Sequence, residues 1–318
     1  MLALLCAIAV GSIVPAQTAI NTRLRESNGS PIVTAFYSFI IGTSLAAVGV
    51  WALGDSPLPD FSLLAHEPWW LWLGGFMGVT FIVGNILLFP RIGSVQTVVL
   101  PILGQAIMGL TIDEFGLYRS PQIDVTVWRL IGAVLVLLGV LMVLEVAVPG
   151  TWRGPLRRRT ASPSSRPSSD AGVWLWRAFG VFIGMCSATQ TAVNGQLGRV
   201  LDSTLQASEI SLAMGLVILL VLSGALVARK QATLRVSRGP WWMWFGGVLG
   251  AFFVLGGATL APVIGTGTMV IASVSGTMLA GQVVESLGLF GVRATPLDLR
   301  RVLGLAVIFV GVLMVRLL

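Results

Sequence analysis

Pro68-Trp69-Trp70-Leu71-Trp72-Leu73-Gly74-Gly75-Phe76-Met77-Gly78 returns 172 residues later as Pro240-Trp241-Trp242-Met243-Trp244-Phe245-Gly246-Gly247-Val248-Leu249-Gly250. Outward from that stretch the echo continues. Gln17-Thr18-Ala19-Ile20-Asn21 matches Gln190-Thr191-Ala192-Val193-Asn194, Pro90-Arg91-Ile92-Gly93 matches Pro262-Val263-Ile264-Gly265, and Gly139-Val140-Leu141-Met142-Val143 matches Gly311-Val312-Leu313-Met314-Val315. A nearly constant offset over both halves means an internal duplication, and in an apolar chain that is how secondary transporters are commonly built.

With 55% hydrophobic and 10% charged residues in 318, and a mean hydropathy of +0.90, the chain is too apolar for a wetted globular surface and belongs in a bilayer. Cys6 and Cys186 have no metal or redox spacing and read as small buried residues. A span needs about 20 apolar residues. Five such segments occupy the first half, near 1–20, 32–53, 69–89, 95–112 and 128–148. Five more lie near 174–195, 207–228, 241–261, 266–287 and 301–318. The expected fold is an all-α polytopic membrane protein of ten transmembrane helices. The repeats are 1–148 and 174–318, joined by a flexible, basic, Ser/Pro-rich linker at 149–173. Val14-Pro15-Ala16 resembles a signal-peptide cleavage site. No basic segment precedes it, and the same run recurs as an internal helix.

Sixteen of the 20 lysines and arginines fall in loops on one side, among them Arg23, Arg91, Arg157, Arg177, Lys230 and Arg293, leaving Arg119, Arg129, Arg199 and Arg316 on the other. Positive loops stay in the cytoplasm, so the linker is expected inside and both termini outside. The linker's basic cluster also suits contact with anionic lipid headgroups. Five spans per repeat is an odd number. The second repeat is therefore inverted relative to the first, an architecture suited to alternating access.

The Gln-x-x-x-Asn pairs, Pro-Trp-Trp-x-Trp-x-Gly-Gly, Pro-x-Ile-Gly, Gly104-Gln105 ahead of Asp113, and Phe115-Gly116-Leu117 together resemble the YdcZ-type branch of the drug/metabolite transporter superfamily, in a fused double-length form. The resemblance covers both halves and implies a small-molecule transporter of the bacterial inner membrane, without naming a substrate. The second half departs from the pattern where Gln105 meets Thr277 and Asp113 meets Glu285, with a new Gly281-Gln282 pair following. The mid-helix glutamate of the four-helix multidrug relatives is missing from the first helix.

Gln17 and Asn21, like Gln190 and Asn194, are four apart and share a helical face. Near opposite helix ends they suit gates, against the alternative of interhelical hydrogen bonds that only hold the bundle together. Gln105, Asn85 and Thr277 are the substrate-binding candidates, because they lie near the midplane and because Pro101, Gly276 and Gly281 permit broken backbone beside a cavity. The alternative is satisfied core polarity. Asp113 and Glu285 are candidates for ion coupling. With Glu209 and Glu145 they lie near helix ends, where interfacial anchoring is the other reading. Arg129 and Arg301, at matched helix starts, could pair with these acids or snorkel to headgroups.

The tryptophan clusters read as interfacial belts. Gly74-x-x-x-Gly78, Gly246-x-x-x-Gly250 and the pairs Gly132/Gly139 and Gly304/Gly311 read as packing faces. His66 stands alone beside Glu67, and no catalytic, metal or phosphate-binding constellation is present, so the expectation is no enzyme, no cofactor and no nucleic-acid partner. The expected partners are a small-molecule substrate and membrane lipid, and a homodimer is compatible. The function expected is a secondary, alternating-access transporter of a small organic metabolite or drug-like solute. A lipid-carrier flippase, or a non-transporting scaffold or receptor subunit, are the alternatives.

Overall fold

The computed structural model describes residues 1–56, 58, 66–143, 170–291 and 298–317. Among them are nine α-helices: α1 (Leu2–Asn28), α2 (Pro31–Ala52), α3 (Leu73–Phe115), α4 (Val127–Val143), α5 (Asp170–Val200), α6 (Thr204–Ala228), α7 (Gly246–Ile264), α8 (Thr266–Leu287) and α9 (Leu299–Leu317). Glu145 and the linker up to residue 169 lie outside the described residues.

Local chemistry sets the helix boundaries in matched fashion. Ser30 caps α2 by accepting from the Val33 N–H, and Ser203 caps α6 by accepting from the Gln206 N–H. Gly116 and Gly288, at φ 58° and 63°, end α3 and α8. Beyond each, an aromatic residue takes a left-handed backbone, Tyr118 at φ 57° and Phe290 at φ 56°. Each is held edge-on by a tryptophan of the duplicated motif, Trp70 and Trp242 respectively. The motifs form short 3₁₀ turns, Trp69–Trp72 and Trp241–Trp244, with Trp69 and Trp241 exposed.

Where two helices were expected at 69–89 and 95–112, the chain is one helix of 43 residues. It nevertheless folds back on itself. Leu88 and Leu100 both lie within 4 Å of the position a Cβ on Gly180 would take, whereas twelve residues of straight helix would separate them by about 18 Å. Before the bend, α3 runs antiparallel to α5, with Gly74 beside Asn194, Gly78 beside Gln190 and Gly84 beside Ile183. After it the two run parallel, with Gln96 at Arg177 and Pro101 at Gly184. α3 thus contributes two arms, and the bundle has ten spans in two inverted five-helix repeats. Six helical segments of the described residues, Gln96–Phe115 among them, are long and apolar enough to cross a membrane, and Val127–Val143 is shorter.

The inversion is visible in the packing. α1 runs beside α8, with Ile8 at Gly276 and Pro15 at Gly281, as α5 runs beside the second arm of α3. α4 and α9 meet through their glycines. A Cβ on Gly132 would lie 2.6 Å from the Gly311 carbonyl oxygen, and one on Gly139 2.7 Å from that of Gly304. These registers put Met1, Trp69–Trp72, Phe115, Val127, Ile264 and Leu317 at one face of the bundle. Asn28, Val143, Asp170, Trp241–Trp244 and Leu287 lie at the opposite face, which we call the linker face. Cys6, expected to be buried, is exposed, because the face of α1 that packs is carried by Leu4, Ala7 and Gly11.

Candidate functional site

α1 was expected to end near residue 20. It continues through Arg23 and Arg25, which lie exposed on its surface, to Gly29. Gln17 is therefore not near a helix end. It sits about half a turn from the midpoint of α1, and Gln190 is within two turns of the midpoint of α5. Asn21 and Asn194 lie one turn further toward opposite faces of the bundle.

These amides meet the duplicated glycines. A Cβ on Gly78 would lie 2.5 Å from Gln190 Nε2, and one on Gly250 2.6 Å from Gln17 Nε2. A Cβ on Gly74 would collide with Asn194 Oδ1, and one on Gly246 with Asn21 Oδ1. Each Gly-x-x-x-Gly is thus the seat of the other repeat's Gln-x-x-x-Asn. The intervening glycines do the helix packing. A Cβ on Gly75 would lie 2.5 Å from the Ser211 carbonyl oxygen, and one on Gly247 would strike that of Ser38.

The two seats differ in one bond. Ser38 Oγ donates to Asn21 Oδ1 at 2.9 Å. The counterparts Asn194 and Ser211 are both buried, yet Asn194 Oδ1 and Ser211 Oγ have no hydrogen-bond partner. Ser38 and Ser211 were not singled out from the sequence, although they stand at the same offset as the two Gln-x-x-x-Asn pairs.

Gln105 lies on the second arm of α3, between Gly104, which packs on Val181 of α5, and Gly109, which packs on Gly267 of α8. It is half-buried, and like Gln17 and Gln190 it makes no hydrogen bond to any described residue. The other two midplane candidates are engaged. Thr277 Oγ1 donates to the carbonyls of Gly11 and Ser273 at 3.0 and 2.9 Å, tying α8 to α1, and Asn85 Nδ2 donates to the Phe81 carbonyl at 2.8 Å. No hydrogen bond joins Gln105, Asn85 and Thr277 to one another.

Arg129 and Arg301 pair with the acids instead of snorkelling. Arg129, itself buried, holds fully buried Asp113 at 2.7 Å and donates to the Ile123 carbonyl at 2.9 Å. The Asp113 carboxylate faces the start of α8, with Gly265 at φ 85° and Gly267 so near that a Cβ on either would lie 2.9 Å from Oδ2. A carboxylate is favourably placed there against the partial positive charge of a helix N-terminus. In the other repeat, Arg301 Nη1 donates at 3.2 Å to both Glu285 and Gln282, and the Glu285 side chain is 44% exposed.

Glu209, expected at a hydrated helix end, is buried at 7% exposure. On α6 it shares a face with Leu205 and Leu212, which touch Gly49 and Gly42 of α2. It makes no hydrogen bond or ion pair among the described residues, and an acid so placed in a span is a functional candidate. No cluster of metal-ligating side chains occurs among the described residues.

Residues 2–142 and 175–314 match a family described as "Putative inner membrane exporter, YdcZ". No curated protein matches the chain. A solved structure described only as the crystal structure of a protein is similar over 98% of this chain and 94% of its own, with a TM-score of 0.65 and 14% identity. At that identity the likeness shows the fold alone.

Proposed function

The chain belongs to the YdcZ-type family of drug/metabolite transporters, and from that premise we propose that it moves a small organic solute by alternating access across the inner membrane. Membership makes it a multi-pass membrane transporter rather than an enzyme. The carrying observation for the finer reading is the set of amides on Gln17, Gln105 and Gln190. A glutamine that only braces a bundle finds a partner, since an unsatisfied amide in hydrocarbon costs several kcal/mol. These three have none among the described residues; elsewhere in the interior Ser12, Asn28, Thr34, Ser38, Asn85 and Thr277 are bonded, while Asn194 Oδ1 and the hydroxyls of Thr43, Ser211, Ser223 and Thr266 are not. Their free donors and acceptors suit a solute with hydrogen-bonding groups.

In this reading the glutamines contact solute near mid-height, and Asn21 and Asn194 gate the two faces. Each asparagine joins a helix of one repeat to a glycine helix of the other, so opening a face requires lifting one asparagine from its seat. The inverted repeat makes the two openings alternatives. The flippase reading finds little support inside the bundle, where Arg129 is bound by Asp113 and by loop carbonyls.

The test is a transport screen in proteoliposomes across a library of metabolites and drug-like compounds, followed by Gln17→Ala, Gln105→Ala and Gln190→Ala. Each variant is expected to fold as wild type and to bind the identified solute more weakly, by about 0.5–1.5 kcal/mol per lost neutral hydrogen bond. Unchanged affinity in all three would return the glutamines to a packing role.

A further inference from the structure

Outside the amide seats, a groove of about 320 Å³ lies between the first arm of α3, α5 and α6. Phe76, Val83 and Leu87 of α3, Phe179 of α5, and Ile218 and Leu222 of α6 line it. Its one hydroxyl is already engaged, because Thr80 Oγ1 donates to the Phe76 carbonyl at 2.8 Å and so leaves its methyl to the groove. Phe76, Leu87 and Leu222 are exposed at its rim, and within a span the exposed side faces lipid.

The groove has a basic end. One turn beyond Leu87, toward the linker face, the Arg91 guanidinium lies 5.2 Å from the centre of the Trp176 ring. Trp176 meets Phe179 edge-on, and Phe179 stacks on Phe182. Arg177 is held nearby, with Nε donating to Gln96 at 2.9 Å and its guanidinium 4.8 Å from the centre of the Trp174 ring. Neither arginine makes an ion pair with a described residue, and both lie against tryptophans of the first two turns of α5. From Phe76 to Leu87 the groove runs about 16 Å along the helix, half the thickness of a bilayer core of about 30 Å.

From this geometry we propose that the groove is a site for one anionic phospholipid. An acyl chain lies along the Phe76–Leu87 face and Phe179, and the phosphate is held by Arg91 at the headgroup level with Arg177 beside it. The dimensions fit a single chain descending from the linker-face leaflet to the bilayer centre. The chemistry fits a lipid better than a water-borne solute, because the groove opens sideways and offers no free polar group along its length. Such a lipid would wedge between α3 and α6, beside Gly75, which packs on α6.

Native mass spectrometry of protein taken from nanodiscs of phosphatidylcholine and phosphatidylglycerol with matched chains tests this. The wild type should retain one phosphatidylglycerol in preference to phosphatidylcholine. Arg91→Ala should lower that occupancy about fivefold, and Leu87→Trp, which fills the groove and keeps the charge, should lower it as well. Arg235→Ala, on a loop at the same face, should leave it unchanged, and helical content and melting temperature should match wild type throughout. Full occupancy in either Arg91→Ala or Leu87→Trp overturns the proposal, as does an equal loss in Arg235→Ala.

Discussion

Asn21 and Ser38 are joined by a hydrogen bond that their repeat counterparts, Asn194 and Ser211, lack. Because the two pairs occupy equivalent seats at opposite faces, the structure holds one seat latched and the other unlatched. A latch that exchanges partners as access alternates would show this asymmetry in any single state.

The latch predicts unequal effects of equivalent mutations. Ser38→Ala removes a bond that exists and should lower thermal stability by about 0.6–2 kcal/mol. Ser211→Ala removes a buried hydroxyl that has no partner, so stability should stay the same or rise, while solute exchange slows because the opposite state loses its latch. Melting curves and exchange rates on the same preparations check both statements. Equal destabilisation by the two alanines would contradict the asymmetry.

The amide seats predict a second-site rescue. Gly74→Ala places a Cβ onto Asn194 Oδ1, and overpacking of this kind costs about 1–3 kcal/mol. Shortening the opposing side chain in Gly74→Ala/Asn194→Ala should restore stability, and Gly246→Ala/Asn21→Ala should behave alike. Gly75→Ala meets Ser211 backbone at 2.5 Å instead, so Asn194→Ala should not rescue it. Denaturation of the four variants and the Gly75→Ala/Asn194→Ala control decides between a seat and simple helix packing.

Some of this was legible in the residues and some was not, for physical reasons. The duplicated Trp and Gly motifs and the Gln-x-x-x-Asn pairs carried the duplication, because each is a local pattern repeated at a nearly constant offset, and the odd number of spans per repeat carried the inversion. The depth of Gln17 was misjudged because Arg23 and Arg25 look like a loop, whereas their long side chains reach water from the surface of a continuing helix. That the glycines seat amides from the other repeat depends on contacts across more than a hundred residues, which no local spacing encodes. Glu209 looked peripheral for its closeness to the start of the apolar segment at 207–228. Its burial comes from α2 lying across that face.

The orientation expected from charge can be checked on described residues. In a background lacking Cys6 and Cys186, Thr233→Cys at the linker face and Gln122→Cys at the face holding both chain ends are both exposed. An impermeant thiol reagent applied to intact cells should label Gln122→Cys and spare Thr233→Cys until the membrane is opened, as the positive-inside rule requires. The reverse pattern would invert the orientation, and equal labelling would reject the opposite placement of the two faces.

Energy coupling is the last prediction, and it rests on Asp113 and Glu285. They occupy equivalent positions at opposite faces, each bound to the arginine that starts the last helix of its repeat. Asp113 is sealed, while the Glu285 side chain is 44% exposed, so this state has one acid dry and one wet, as expected if alternation exchanges their access to water. Removing one partner of a buried pair costs about 3–5 kcal/mol, because the other charge is left alone, whereas an exposed pair is worth about 0–1 kcal/mol. Asp113→Asn should therefore destabilise the fold much more than Glu285→Gln. Asp113→Asn/Arg129→Gln, which removes both charges, should recover much of that loss without restoring function. In proteoliposomes, the double variant and Glu285→Gln should exchange labelled solute at equilibrium yet fail to accumulate it against a gradient. Glu209→Gln serves as the contrast, since Glu209 is buried without a counter-charge. If Glu209→Gln alone abolishes accumulation while the Asp113 and Glu285 variants still concentrate solute with the pH dependence of wild type, the coupling proton is carried between α2 and α6, and the two ion pairs are braces.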